Sequence, residues 1–268
     1  GMSVWDISDN CREPELVARY DHGDKEVHAL RLWRDPQNPD RVLAIQSFID
    51  TPNIRVLDLT GCPDPQACDP EVVAEWSLEN QTGLDSTTHE AIMSTDGRRI
   101  YVAQPMVGFL QLDSSNLIDS LRGNGTCDPA PPEGMPGEDH CLTVLDPNVA
   151  SSLESQSIQD GWHHTLQKVP DRPYMLALSE SSGPGGPDPS DPEHYASCPG
   201  GEIQVHSVAE AEAGANGLNG TIGTLDPEPV GSYTLPEQRP ENCGPDGWDT
   251  DAVTWPGWLT PHFTLPFP

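Results

Sequence analysis

One short stretch recurs along the chain and constrains the fold more than any other feature. Its clearest copy spans residues 53–61, with apolar side chains at Ile54 and Val56 and an aspartate at Asp58. Alternate side chains of a strand point to opposite faces, so this pattern predicts a β-strand with one buried face. The other copies lie at residues 1–9, 108–114 and 201–207, with an echo at 142–147.

The repeat extends on both sides of that strand. Before each complete copy come two further apolar strands, the first of them led by a histidine, and after it comes a closing strand such as residues 71–76 or 229–234. Four short strands per repeat are typical of a β-propeller blade. We therefore predict an all-β fold, a β-propeller of four-stranded blades, with about three complete blades and partial blades at both ends.

The predicted organisation is one β-propeller domain, or a fragment of one, over residues 1–268. Its parts are a partial blade, three complete blades and the start of a further blade: 1–22, 27–79, 88–150, 162–235 and 260–268. Joining the two ends into one blade would leave that blade short of one strand, which favours a fragment of a larger propeller. A fragment would leave open strand edges, which a partner chain could cover.

Three of the repeated strands resemble those of the LVIVD-repeat propellers, a family of extracytoplasmic proteins. The matching residues are Val-Trp-Asp-Ile at 4–7, Val-Leu-Asp-Leu at 56–59 and Leu-Gln-Leu-Asp at 110–113. More distantly, the chain is similar to the selenium-binding protein and methanethiol oxidase group, which shares this propeller type. The resemblance implies a propeller fold and, through the second group, copper held by histidines of the central channel.

The charge of the chain excludes several partners. It carries 43 acidic and 13 basic residues, a formal net charge of −30. Such a surface repels nucleic acid and anionic membranes. Two origins of this charge stay open, the solvated acidic surface of a halophile and the cation-binding loops of a secreted protein. With no apolar run of about 18 residues, the chain is not expected to span a membrane.

Seven cysteines lie in polar, turn-rich stretches. Cys62 and Cys68 enclose a short loop, and Cys127 and Cys141 enclose a Pro-rich insertion. The remaining candidate disulfide pair is Cys198 with Cys243, which leaves Cys11 unpaired. This usage predicts disulfides and an oxidising compartment, so the protein is expected to be secreted, periplasmic or at the cell surface. The alternative is a set of scattered, reduced thiols.

The histidines give the most informative functional signal. They stand at the starts of first strands, at His28, His89, His163, His164 and His262. First strands line the central channel of a propeller, so these imidazoles would converge at one mouth and bind copper or another transition metal. Adjacent strand residues face opposite sides, so only one of the two consecutive histidines can easily face the channel. Alternatively, each histidine fixes the start of its strand by a hydrogen bond to the neighbouring blade.

Three functions follow from these features. The leading one is an extracytoplasmic binding or interaction scaffold, whose protein or small-molecule ligand the sequence does not identify. The second is a copper-dependent oxidase of a small sulfur compound, as the resemblance implies. The third is a structural surface protein of a halophile. No Gly-x-Ser-x-Gly elbow or phosphate-binding loop is present in the sequence, so whether the protein is an enzyme stays open.

Overall fold

The strands of the protein form separate sheets in which neighbours follow one another along the chain. The computed structural model describes residues 1–23, 25–49, 53–62, 64, 68–82, 88–104, 108–127, 141–144, 163–169, 172–179, 202–207 and 230–234. Within these ranges, one sheet has two strands and three sheets have four. Every strand pair whose register is described runs antiparallel.

The elements follow the repeat. The two-stranded sheet, called the ribbon below, and the next sheet comprise β1 (Met2–Asp6), β2 (Glu15–Tyr20), β3 (Val27–Arg34), β4 (Val42–Phe48), β5 (Ile54–Asp58) and β6 (Glu71–Trp76). Helix α1 (Leu78–Thr82) then precedes β7 (Glu90–Met93), β8 (Arg99–Gln104), β9 (Gly108–Asp113), helix α2 (Ser115–Leu121) and β10 (Thr143–Val144). The last sheet comprises β11 (His163–Lys168), β12 (Tyr174–Ser179), β13 (Glu202–Ser207) and β14 (Gly231–Thr234).

These elements confirm the prediction of an all-β fold built from four-stranded units. Each complete predicted blade contains one four-stranded sheet, and residues 1–22 contain the ribbon. Helix α1 was not predicted; there the Ser77 hydroxyl accepts a hydrogen bond from the amide of Asn80, and the Asn53 side chain accepts one from the amide of Leu78. The predicted strand at 260–268 lies outside the described residues.

The packing divides the chain into two compact units. Unit 1 comprises residues 1–100 and 112–144, and unit 2 comprises residues 101–111 and 145–268. In unit 1, residues 43–48 of strand β4 are buried on both faces, which is why apolar side chains occur there at consecutive positions and not only at alternate ones. In unit 2, the buried apolar residues include Leu166, Met175 and Leu178.

The ribbon packs on the sheet β3–β6 within unit 1. Met2 of β1 and Tyr20 of β2 face each other across the ribbon, and both pack against the buried cluster of Ala44, Leu57 and Leu59. The opposite face of the ribbon is exposed, as at the paired residues Trp5 and Leu16. Among the residues that the structure describes, the ribbon is therefore held by the face that carries Met2 and Tyr20.

A buried aspartate ties strand β3 to helix α2. Asp35 is fully buried at the end of β3, and its two carboxylate oxygens accept hydrogen bonds from Arg41 and Arg122. Arg41 also donates to the carbonyl oxygen of Leu121, at 2.6 Å. These contacts fix the C-terminal end of α2 on the β3–β4 hairpin.

The turn between β7 and β8 requires a glycine. Gly97 has φ +79°, and a Cβ atom there would lie 2.7 Å from the Trp33 ring and 2.9 Å from the Ile118 side chain. Trp33 is itself fixed, because its indole N–H donates to the carbonyl oxygen of Ser94 at 2.9 Å.

Among the described residues, no helix has the length and apolar character needed to span a membrane.

We expect Gly97→Ala to lower the free energy of unfolding by about 2 kcal/mol, from the strained backbone and the collision with Trp33. The matched control is Gly123→Ala, because Gly123 also has a positive φ of 81° but has no atom near its added Cβ. The control is expected to cost about 1 kcal/mol, from the backbone alone. Denaturant unfolding measures both, and equal losses would show that the Trp33 contact contributes nothing.

Candidate functional site

Two of the predicted histidines meet in unit 1. His28 lies in β3, His89 directly precedes β7, and their Nε2 atoms are 2.6 Å apart. The rings are nearly perpendicular, with an angle of 80° between their planes. At this distance one imidazole donates its N–H to the other, so the pair holds one shared hydrogen bond when both rings are neutral.

Neighbouring contacts position this pair. Strand β7 packs against β3 and β4, and the Ser47 hydroxyl of β4 donates to the carbonyl oxygen of His89 at 2.9 Å. Arg31 of β3 forms an ion pair with the buried carboxylate of Glu90. Strands β3 and β4 therefore both hold β7 and the residue before it, and these contacts keep the two histidines close together.

The pair can contribute two nitrogen ligands to a metal. Zinc and copper bind imidazole nitrogen at about 2.0 Å, which places two tetrahedral nitrogen ligands about 3.3 Å apart. The Nε2 atoms at 2.6 Å would need to separate slightly to hold a metal ion, and His28 is exposed. Within the described ranges, no group of three or more His, Cys, Asp or Glu side chains is arranged to hold a metal ion.

The other predicted histidines are placed differently. His164 is in β11 of unit 2, buried, with its Nδ1 atom 2.8 Å from the Thr165 hydroxyl. His163 begins the same strand, but its side chain lies outside what the structure describes, as does the whole of His262. The predicted ring of histidines therefore stays a prediction. The structure brings two of the predicted histidines together, His28 and His89.

The cysteines form two of the predicted pairs. Cys62 is bonded to Cys68, and Cys127 to Cys141, with sequence separations of 6 and 14 residues. Cys11 is exposed and has a free thiol. Cys198 and Cys243 lie outside the described residues, so their pairing stays a prediction.

A further histidine was missed by the sequence analysis. His22 lies in the connection from β2 to β3 and is buried, and its Nδ1 atom is 2.7 Å from an NH1 of Arg55. Its ring packs 4.8 Å from Tyr20 and 5.4 Å from Phe48, measured between centroids. The repeat does not indicate His22, because this residue lies in the connection between β2 and β3 and has no copy in the other repeats.

Burial and charge both act on His22. Loss of water around the ring, followed by the positive charge of Arg55, lowers the pKa of His22 from 6.5 to about 4. The imidazole is therefore neutral at pH 7. Arg55 is held in turn by Glu75, which accepts its Nε–H at 2.6 Å, and its guanidinium lies over the rings of Tyr20 and Phe48.

Comparison with known proteins gives a distant structural similarity. No protein-family model matches the chain, and no curated protein matches it. The crystal structure of Chaetomium thermophilum Sqt1 bound to the N-terminus of the ribosomal protein L10 is similar at a TM-score of 0.38 and 13% sequence identity. The match covers 77% of this chain and 52% of the Sqt1 structure's chain, so this chain spans about half the length of that one.

Proposed function

We propose that the chain is an LVIVD-type β-propeller that acts outside the cytoplasm as a binding or interaction scaffold. Sheets β3–β6, β7–β10 and β11–β14 each follow chain order, as the blades of a propeller do. The two disulfides support an oxidising compartment, such as the periplasm, the cell surface or the extracellular medium. The large negative charge favours a protein or small-molecule ligand over nucleic acid.

The observation that carries the proposal is the junction between the first strands of two successive sheets. In unit 1, β7 contacts β3 and β4, and His28 of one repeat meets His89 of the next. Equivalent first-strand residues meet in this way when consecutive blades pack around a common axis. In the scaffold proposal, the two imidazoles form a hydrogen bond that fixes one blade against the next.

A second candidate function uses the same pair. The short distance between the two Nε2 atoms supports metal binding by His28 and His89, two of the histidines whose convergence the copper-dependent oxidase hypothesis requires. The other two are His164 and His262. A bound copper ion would supply one-electron redox chemistry toward a small sulfur compound. The residues of the chain would hold the ion through the two Nε2 atoms, and Ser47 would fix the backbone of His89.

Elemental analysis of protein purified without chelator, before and after addition of copper, distinguishes the two functions. The scaffold proposal expects no stoichiometric metal. It also expects His28→Ala to lower the free energy of unfolding by about 1 kcal/mol with or without chelator, because one hydrogen bond is lost. Leu30→Ala, an exposed change two residues along β3, is the matched control and should alter neither metal content nor the effect of chelator.

One copper per chain, lost in His28→Ala and His89→Ala but kept in Leu30→Ala, would overturn the scaffold proposal. A further variant, His164→Ala, then tests the predicted ring. Loss of copper in this variant with the fold intact would add His164 to the ligands, and retention of copper would leave a site built from unit 1 alone.

A further inference from the structure

We propose that His22 is a pH-sensitive latch, which holds the ribbon on the sheet β3–β6 while its imidazole is neutral and releases the ribbon when it is protonated. The proposal concerns unit 1 alone and does not depend on the His28 and His89 pair. It rests on where His22 lies, on what contacts its ring and on which hydrogen-bonding state those contacts demand.

His22 lies in the connection between two sheets and contacts both of them. It follows β2 by two residues and precedes β3, so it lies in the connection from the ribbon to the sheet β3–β6. The Asp21 carboxylate accepts a hydrogen bond from the amide of Gly23, whose φ of 68° turns the chain. The imidazole contacts Tyr20 of the ribbon on one side and Phe48 of β4 on the other.

The contact with Arg55 fixes the tautomer. A guanidinium only donates hydrogen bonds, so the Nδ1 atom of His22, 2.7 Å from Arg55, must be the acceptor. The proton of the neutral ring is then on Nε2. That Nε2 atom is buried and has no hydrogen-bond partner among the described residues. His22 is therefore compatible with its surroundings only as the neutral ring with Nδ1 free of a proton.

Protonation of His22 would turn the hydrogen bond between its Nδ1 atom and Arg55 into a repulsive contact. A protonated imidazole would direct an N–H at the N–H of Arg55 and would bring a second positive charge beside the guanidinium, away from water. Arg55 has no freedom to change partner, because Glu75 of β6 holds its Nε and NH2 atoms. The repulsion ends when the imidazole moves away from Arg55. The ribbon moves with the imidazole, because Tyr20 and His22 are only two residues apart.

The other charged groups around His22 leave this conflict in place. Arg55 of β5 opposes protonation. Asp21 favours protonation, but by less than Arg55 opposes it. The Glu75 carboxylate is bonded to Arg55. Strand β4 presents the uncharged ring of Phe48, and Lys25 contacts His22 through backbone atoms.

The sign of the pH dependence follows. Because the pKa of His22 is lowered from 6.5 to about 4 in the closed form, this residue stabilises the closed ribbon fully above pH 6.5. The contribution is lost as the pH falls from 6.5 toward 4. Between pH 7 and pH 5 the equilibrium constant for opening should rise about 20-fold.

Hydrogen exchange measures the opening directly. Protection factors, corrected for intrinsic exchange at each pH, are compared for ribbon amides such as Val4 and Ala18 and for sheet amides such as Ile45 and Val56. In the natural protein, ribbon protection should fall about 20-fold from pH 7 to pH 5, while sheet protection stays within about threefold. In His22→Gln, which keeps a neutral polar side chain, the ribbon should lose this pH dependence.

Two results would overturn the latch. One is an equal fall in ribbon protection in His22→Gln and the natural protein, which would assign the acid response to other groups. The other comes from the natural protein alone and needs no variant to fold: an NMR titration in which His22 titrates near pH 6.5 while the ribbon stays protected. Such a titration would show that the closed ribbon accepts a charged imidazole.

Discussion

Replacing Asp35 by alanine is expected to lower the free energy of unfolding by about 3–5 kcal/mol, the range for breaking a buried ion pair by removing one partner. Asp35 is fully buried, and its carboxylate contacts Arg122 at 2.8 Å and Arg41 at 3.3 Å. Without the carboxylate, two largely buried guanidinium groups lose their counter-charge. Denaturant unfolding followed by circular dichroism measures the loss.

Two variants separate the ion pair from the other effects of this change. Asp119→Ala removes the same charge from a half-exposed pair with Arg98 and should cost less than about 1 kcal/mol. Asp35→Asn keeps an oxygen that can accept the amide hydrogen bond of Gln37 but removes the charge, so its cost should lie between the other two. If Asp35→Ala were no more costly than Asp119→Ala, the buried pair would contribute nothing to stability.

Asp35 also predicts part of the acid response of the fold. Burial would raise the pKa of its carboxyl group, but hydrogen bonds from Arg122 and from the amides of Gln37 and Asn38, with the charge of Arg122, lower it overall. A carboxylate with a lowered pKa in the folded state stabilises the fold at pH values above its unfolded pKa, near 3.8. This contribution is lost as the pH falls through the folded pKa, so Asp35→Asn should weaken the pH dependence of stability below about pH 4.

The strands could be predicted from the sequence because their signal is local and repeated. The alternation of apolar residues in 53–61 recurs with every copy, and the structure places a third strand of a sheet at three of these copies. The same repeat identified His28 and His89 as candidate site residues, because both stand at the start of a first strand. Their approach to 2.6 Å depends on the packing of β7 on β3 and β4, which no local pattern reports.

The polar contacts of unit 1 could not be found in this way. Asp35 and Arg122 are 87 residues apart, and His22 and Arg55 are 33 apart, with no repeated spacing to connect either pair. In a chain with 43 acidic residues, Asp35 differs from most other carboxylates only through its burial. Burial of a single polar side chain depends on the register of the strands around it, and register becomes known only from the assembled sheets.

Removal of the Cys127–Cys141 disulfide is the second large effect that we expect. The bond closes a loop with a sequence separation of 14 residues, and loss of such a constraint on the unfolded chain costs about 3 kcal/mol. It connects the segment after helix α2 to the stretch before β10, and the Ser120 hydroxyl of α2 accepts a hydrogen bond from the Cys127 amide. The double variant Cys127→Ala/Cys141→Ala should therefore lower the free energy of unfolding by about 3 kcal/mol in denaturant.

The second disulfide supplies the matched control. Cys62–Cys68 closes a shorter loop, with a separation of 6 residues, so Cys62→Ala/Cys68→Ala should cost about 2 kcal/mol. Reduction of the natural protein should destabilise it by at least the sum of these two effects, about 5 kcal/mol, since the two bonds close separate loops. That loss approaches the whole stability of an average domain, so the fold would depend on an oxidising compartment. An unfolding midpoint unchanged by reductant, with all thiols then titratable, would show that the stability of the fold does not depend on the disulfides or on an oxidising compartment.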